Sequence, residues 1–189
     1  MKILSEGALI PALVSEGQAW RLVSSVFLHS GFPHLAVNML SLYFLGSFVE
    51  NAFGRGRFLA LYLLSGLSGG IAYLFFGGFT TPAVGASGAI FGLLGGILGS
   101  ALRRGTFSWQ NPVIRQLLIL LVINLWIGLS IENVSNTAHM GGLAGGLVFG
   151  YLVAPTVHSR KTVRALAPVL IVLAIEALLL GLWMLGFRL

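Results

Sequence analysis

Cysteine is absent from this chain of 189 residues. That excludes disulfides, thiolate metal sites and a cysteine nucleophile. Aspartate is absent too, and the five acids are Glu6, Glu16, Glu50, Glu132 and Glu176. A paired-aspartate protease site therefore cannot be built. The His-Glu-x-x-His string of a zinc protease does not occur either. Charged residues of both signs make up only 8% of the chain, against roughly 25% in a soluble domain. So few charges could not cover the surface of a globular protein this size. With 57% hydrophobic residues and a mean hydropathy of +0.95, a disordered chain is excluded as well. Glycine is abundant, at 26 residues, but has no Gly-X-Y period and only six prolines accompany it, which excludes collagen. What remains is an all-α, polytopic membrane bundle with no room for a separate soluble domain.

The formal net charge is +6. The basic residues stand in twos and threes between apolar runs, which is a pattern of membrane topology and not of a nucleic-acid face. The apolar runs are 35–49, 58–76, 87–102, 116–131, 140–154 and 165–187. Only the second and last reach the roughly 20 residues that an upright crossing needs. The other four are short and rich in Gly, Ser and Asn, so they are expected at the centre of the bundle, shielded from lipid. Arg55, Arg57, Arg103, Arg104, Arg115, Arg160, Lys161 and Arg164 fall on one side, and Lys2, Arg21 and Arg188 on the other. The positive-inside rule puts the first group in the cytoplasm, so that segments 1–33, 77–86 and 132–138 face outward. No signal peptide is visible in 1–18. The outward N-terminal segment has no span before it. Either it is translocated unaided or an upstream helix is missing from this chain, and the missing helix is the expectation.

Polar groups stand out against this background. Gly85-Ala86-Ser87-Gly88 opens the third run from the outer side. Ser87 thus starts a helix, where backbone N–H groups lack intrahelical partners and the helix dipole is positive. Such a place can stabilise an oxyanion beside the hydroxyl. Asn136-Thr137-Ala138-His139 opens the fifth run from the same side. Gly88, Gly92 and Gly96 recur every four residues on the serine helix, as Gly142, Gly146 and Gly150 do on the histidine helix. Small-xxx-small rows let membrane helices pack backbone to backbone. If these two rows face each other, Ser87 meets His139 at the outer end of the seam, as nucleophile and general base. Each serine, histidine or glycine row could also serve packing alone.

His34 and Asn38 are spaced by four, on one face of the first run. They read either as an interhelical hydrogen bond or as side-chain donors of an oxyanion hole. A triad would need a carboxylate for the histidine, and Glu132 is the one outward acid near either residue. A Ser-His dyad is therefore expected. Phe91, four residues after Ser87, would support the imidazole ring. Glu176 sits at mid-depth in the last run, where a carboxylate facing lipid would be costly, so it is expected to face the bundle. A small transporter would rest on Glu176 alone.

Trp20-Arg21, Phe27-Leu28-His29, His34-Leu35-Ala36-Val37-Asn38-Met39, Gly85-Ala86-Ser87-Gly88-Ala89-Ile90-Phe91-Gly92 and Ala138-His139-Met140-Gly141-Gly142 follow one another in this order. The set resembles the bacterial type of rhomboid intramembrane serine protease, from residue 20 to about residue 150. The resemblance implies a helical bundle of about six transmembrane helices, here without the family's first. It implies Ser87 as nucleophile, His139 as base, and His34, Asn38 and the Ser87 N–H as oxyanion hole. Phe91 would stack under His139, where some relatives carry Tyr. Trp20, Arg21 and His29 would be structural elements of the outward loop, and Glu50, Gly54 and Arg57 would brace the cytoplasmic end of the first span. Residues 1–33 would form an outward, partly membrane-embedded loop, 34–157 the catalytic core, and 158–189 a cytoplasmic loop with an extra C-terminal helix. The expected protein is a multi-pass endopeptidase of the cell's inner membrane. It would cut transmembrane substrates near the outer face, without metal or cofactor. A silent rhomboid-like escort of membrane proteins is the alternative.

Overall fold

The computed structural model describes residues 6–130, 134–154 and 162–187. Glu132, His158, Lys2, Arg160, Lys161 and Arg188 lie outside them. Two short helices, α1 (Pro11–Ser15) and α2 (Arg21–Phe27), come first. Six longer ones follow: α3 (Phe32–Phe53, with a π-helical turn over Leu42–Gly46), α4 (Arg55–Phe76), α5 (Ser87–Arg103), α6 (Pro112–Ser130), α7 (Asn136–Val153) and α8 (Thr162–Met184). The elements expected from the apolar runs are thus present, as a helical bundle.

The boundaries follow local chemistry. Pro33 and Pro112 stand in the first turns of α3 and α6, where a missing N–H costs nothing. Gly54, at φ +81°, breaks α3 from α4. Ser135 caps α7, its hydroxyl accepting from the Ala138 N–H at 3.2 Å.

The centre is a trio of α4, α5 and α7, in which α5 and α7 pack with almost no side chain between their backbones. A Cβ at Gly142, Gly146 or Gly150 would collide with the carbonyl oxygens of Gly88, Gly92 and Gly96. Gly95 and Gly99 meet the carbonyls of Leu143 and Leu147 in the same way. The α5 row also serves its other neighbour, because a Cβ on Gly92 would strike Ser65 of α4 and one on Gly96 would come within 2.5 Å of Leu61. In lipid no hydrophobic gain drives helices together, so this backbone proximity, with its dispersion and Cα–H···O contacts, is what holds the trio.

Two expectations need correction. The first and fourth runs are not short central helices. They extend over 22 and 19 residues, with only 17% of each span buried. The physical reason is that polar side chains such as Asn38 and Asn124 bond to carbonyls of their own helix, at 2.8 Å each, and do not end it. The large Leu, Phe and Ile residues on α3 and α6 then face outward. Conversely α4, which is long enough to cross, lies at the centre with 56% of its span buried. Length alone did not sort the helices. Glycine at spacing four did.

Candidate active site

Ser87 is the first residue of α5, so its N–H has no partner within the helix. His139 is in the first turn of α7, held there by the Ser135 cap and by its own N–H donating to the Ser135 carbonyl at 3.1 Å. The glycine seam brings the two starts together, and Ser87 Oγ lies 2.8 Å from His139 Nε2. His139 is buried, at 5% exposure. Its ring stacks on Phe91, with centroids 4.2 Å apart and planes 7° from parallel. For Nε2 to accept the serine proton the ring must carry its own proton on Nδ1. That Nδ1 has no hydrogen-bond partner among the described residues. No carboxylate among them bonds the ring, which rests against Phe91.

His34 stands in the first turn of α3. Its Nδ1 faces Ser30, whose hydroxyl is at 3.0 Å and whose N–H points to it at 3.4 Å. An N–H donating to Nδ1 makes that nitrogen an acceptor and leaves the proton on Nε2. A Cβ built on Gly85 would lie 2.8 Å from His34 Nε2 and 3.8 Å from Ser87 Oγ. Gly85 has φ +130°, so both the backbone and the space here require glycine. Asn38 is buried one turn below, and its amide donates to the His34 carbonyl at 2.8 Å. That uses one of its two amide hydrogens.

The loop before Ser87 is pinned from the N-terminal segment. Gly85 N–H donates to the Ser25 carbonyl at 2.9 Å, and Leu9 and Ala83 exchange two bonds at 2.9 and 2.8 Å. Arg21 is buried beneath, donating to Gln18 Oε1 at 2.8 Å and to the Ala8 carbonyl at 2.7 Å. Trp20 beside it is 58% exposed. His29 packs edge-on against His34, at 5.1 Å. Burial first, and His34 second, hold the His29 imidazole below its ordinary pKa. At the far end of α3, Glu50 pairs with Arg55 at 3.1 Å, an exposed contact of little energetic weight. Arg57 donates to the Phe53 carbonyl at 3.4 Å.

Three participants were not legible as site residues. Ser25 and Ala8 act through backbone carbonyls, which no side-chain pattern reports. Asn136, three residues before His139, packs on Gly128 of α6 and donates to the Leu125 carbonyl at 3.3 Å, which ties α6 to the histidine helix. Glycine opposite a polar residue at a helix start was the available signal.

Beneath Phe91 an apolar cleft of about 430 Å³ opens between α3, α5 and α6. Its walls include Phe44, Leu45, Leu94 and Leu117, with Ser41, Gln116 and Asn124 as its polar lining. Among the described residues no group of three or more His, Cys, Asp or Glu could hold a metal ion.

A rhomboid domain matches residues 16–156. The chain belongs to the rhomboid family. It is 40% identical over 144 residues to the rhomboid protease GluP of Bacillus subtilis (strain 168), covering 76% of this chain and 28% of that one. It is 41% identical over 149 residues to RHOMBOID-like protein 5 of Arabidopsis thaliana, covering 78% and 48%. With the putative rhomboid protease YdcA of Bacillus subtilis the identity is 34% over 139 residues, covering 74% and 69%. This rhomboid thus spans well under half of GluP and about half of the Arabidopsis relative. Its apolar helices make it a multi-pass integral membrane protein. Helix α8 lies beyond the matched domain.

Proposed function

We propose that this rhomboid is an intramembrane serine endopeptidase working through a Ser87–His139 dyad. The observation that carries the reading is the 2.8 Å contact between Ser87 Oγ and His139 Nε2 on a ring already stacked in place. In the reaction His139 Nε2 takes the Ser87 proton as Oγ bonds to the scissile carbonyl carbon. The carbonyl oxygen becomes an oxyanion facing the Ser87 N–H, His34 Nε2–H and the free Asn38 amide hydrogen. His139 then passes its proton to the leaving amine as the C–N bond breaks. Water attacks the acyl-enzyme with His139 again as base, and Ser87 recovers its proton.

The dyad sits at the start of α5, and Arg103 and Arg104 at its end, roughly 25 Å away at 1.5 Å per residue. With those arginines in the cytoplasm, the site opens at the outer face of the cell's inner membrane. In this reading residues 1–33 are the outward loop that braces the Ser87 loop. Residues 34–157 are the catalytic core, and 158–189 carry the additional C-terminal helix. The substrates are transmembrane segments of other proteins. A helical substrate hides its carbonyls in i to i−4 bonds, so it must unwind to reach Ser87. Helix-weakening residues near the cut favour it, and small side chains suit a glycine-lined floor.

The test is cleavage of a transmembrane substrate by purified protein in proteoliposomes. Wild type should cut the substrate near its outer end and Ser87→Ala should not cut at all. Equal cleavage by Ser87→Ala would reject the mechanism. A wild type that binds the substrate and leaves it whole would make it a silent escort.

A further inference from the structure

Helix α8 carries a carboxyl group that the proposed chemistry does not use. Glu176 is 3% exposed, deep in a span of otherwise apolar residues. Its Oε1 accepts from Ser68 Oγ of α4 at 2.6 Å, and its Oε2 has no partner among the described residues. On the same side of α8, Trp183 donates from Nε1 to the Leu74 carbonyl of α4 at 2.8 Å. These two bonds fix the register of α8 on α4. For packing alone an apolar side chain would serve better than a carboxyl with one oxygen unsatisfied. A polar group kept in a core at such a cost points to a role in specifying one arrangement.

The arrangement it specifies leads to the dyad. Ser68 lies against Gly145 of α7, so that a Cβ at Gly145 would collide with its hydroxyl. Its neighbour Gly69 touches the carbonyl of Ala138, and a Cβ there would stand 2.7 Å from that oxygen. From the other side Gly88, the neighbour of Ser87, approaches the same oxygen, with 3.2 Å for its Cβ. The Ala138 carbonyl is thus pinched between the residue after Ser68 and the residue after Ser87, and the next residue along α7 is His139.

We propose that Glu176 is a positioning residue for the dyad. Through Ser68 it holds α4 in the register that presses Gly69 onto Ala138, and this sets where His139 stands relative to Ser87. The inference rests on the dyad reading, so two measurements separate their failures. The first is the rate at which a fluorophosphonate labels Ser87 in full-length protein, well below each variant's melting temperature. Glu176→Leu and Ser68→Ala should each slow labelling by about tenfold to a hundredfold, as small misplacements do. Together they should slow it no further than either alone, because they break one link. Glu176→Gln, which keeps an oxygen for Ser68, should stay within about threefold of wild type. The second is the fluorine resonance of 4-fluorophenylalanine placed at position 91, which senses the stacked His139 ring without any catalysis. Glu176→Leu should move it towards its unstacked value and Glu176→Gln should not. Variants that melt lower yet label and resonate as wild type would show that Glu176 only stabilises, and would overturn the proposal. Additive losses in the double variant would overturn it as well. A wild type that fails to label would sink the dyad reading, and the fluorine shift would still decide this one.

Discussion

His139 lies flat on Phe91, with their ring centroids 4.2 Å apart and their planes 7° from parallel. In the proposed dyad this contact would hold the plane of the imidazole, while Nδ1 has no hydrogen-bond partner among the described residues. Phe91 sits one helical turn beyond Ser87 on α5, so in the proposed mechanism the helix that presents the nucleophile also presents the support for the base. Phe91→Ala should therefore lower the cleavage rate by about tenfold or more, given stacking worth about 0.5–1.5 kcal/mol and the loss of ring alignment. Phe91→Tyr should keep most of it. Equal rates for Phe91→Ala and wild type at full folding would show that something else holds the ring.

The seam between α5 and α7 gives a prediction whose sign is contrary to helix propensity. Gly146→Ala should raise stability by about 1 kcal/mol if propensity ruled. Its Cβ would collide with the Gly92 carbonyl, so we expect a loss of about 1–3 kcal/mol instead. Gly181→Ala on α8, with nothing within 4 Å of the new Cβ, should be neutral or stabilising. Unfolding of both variants in detergent micelles checks the pair.

Gly85 probes the geometry of the candidate site, at temperatures where the strained variant is still folded. Gly85→Ala must place a Cβ at φ +130° and 2.8 Å from His34 Nε2. His34 has to move, which would remove one donor of the proposed oxyanion hole. The cleavage rate should fall by about a hundredfold or more, with a smaller change in KM. A loss confined to KM would contradict the assignment of His34.

His29 gives a pH dependence of stability. Burial, then His34, hold its folded pKa below the ordinary value, which in the unfolded chain is about 6.5. The unfolded state therefore takes up the proton first as pH falls. The stability that neutral His29 contributes is present above about pH 6.5 and is lost as pH falls through the folded value. His29→Phe should show a smaller drop in melting temperature between pH 7.5 and pH 5 than wild type. An identical drop would assign the acid sensitivity to other groups.

Much of the fold and of the candidate site is legible in the sequence. The apolar runs give the helices because a bilayer admits few alternatives. The two glycine rows, read with the polar residues that open each helix, place Ser87 beside His139. Other relationships leave no trace in the residue pattern. The rows do not reveal that Gly92 and Gly96 also carry α4, or that Gly95 and Gly99 share the seam, because a residue without a side chain gives no direction. The peripheral place of α3 and α6 is hidden because Asn38 and Asn124 each donate to a carbonyl of their own helix. Pinning of the Gly85 loop by Ser25 and Leu9 runs through backbone groups, which every residue has. Glu176 was expected to face the bundle and it does, but its partner Ser68 lies 108 residues away in sequence, with no local pattern to announce it.

The most direct measurement is reaction with a fluorophosphonate followed by peptide mass spectrometry. Phosphorus should be found on Ser87 Oγ, with fluoride as the leaving group and His139 taking the proton. The adduct should vanish in Ser87→Ala and form at least about a thousandfold more slowly in His139→Ala. An adduct on another serine, or undiminished labelling without His139, would contradict the Ser87–His139 dyad.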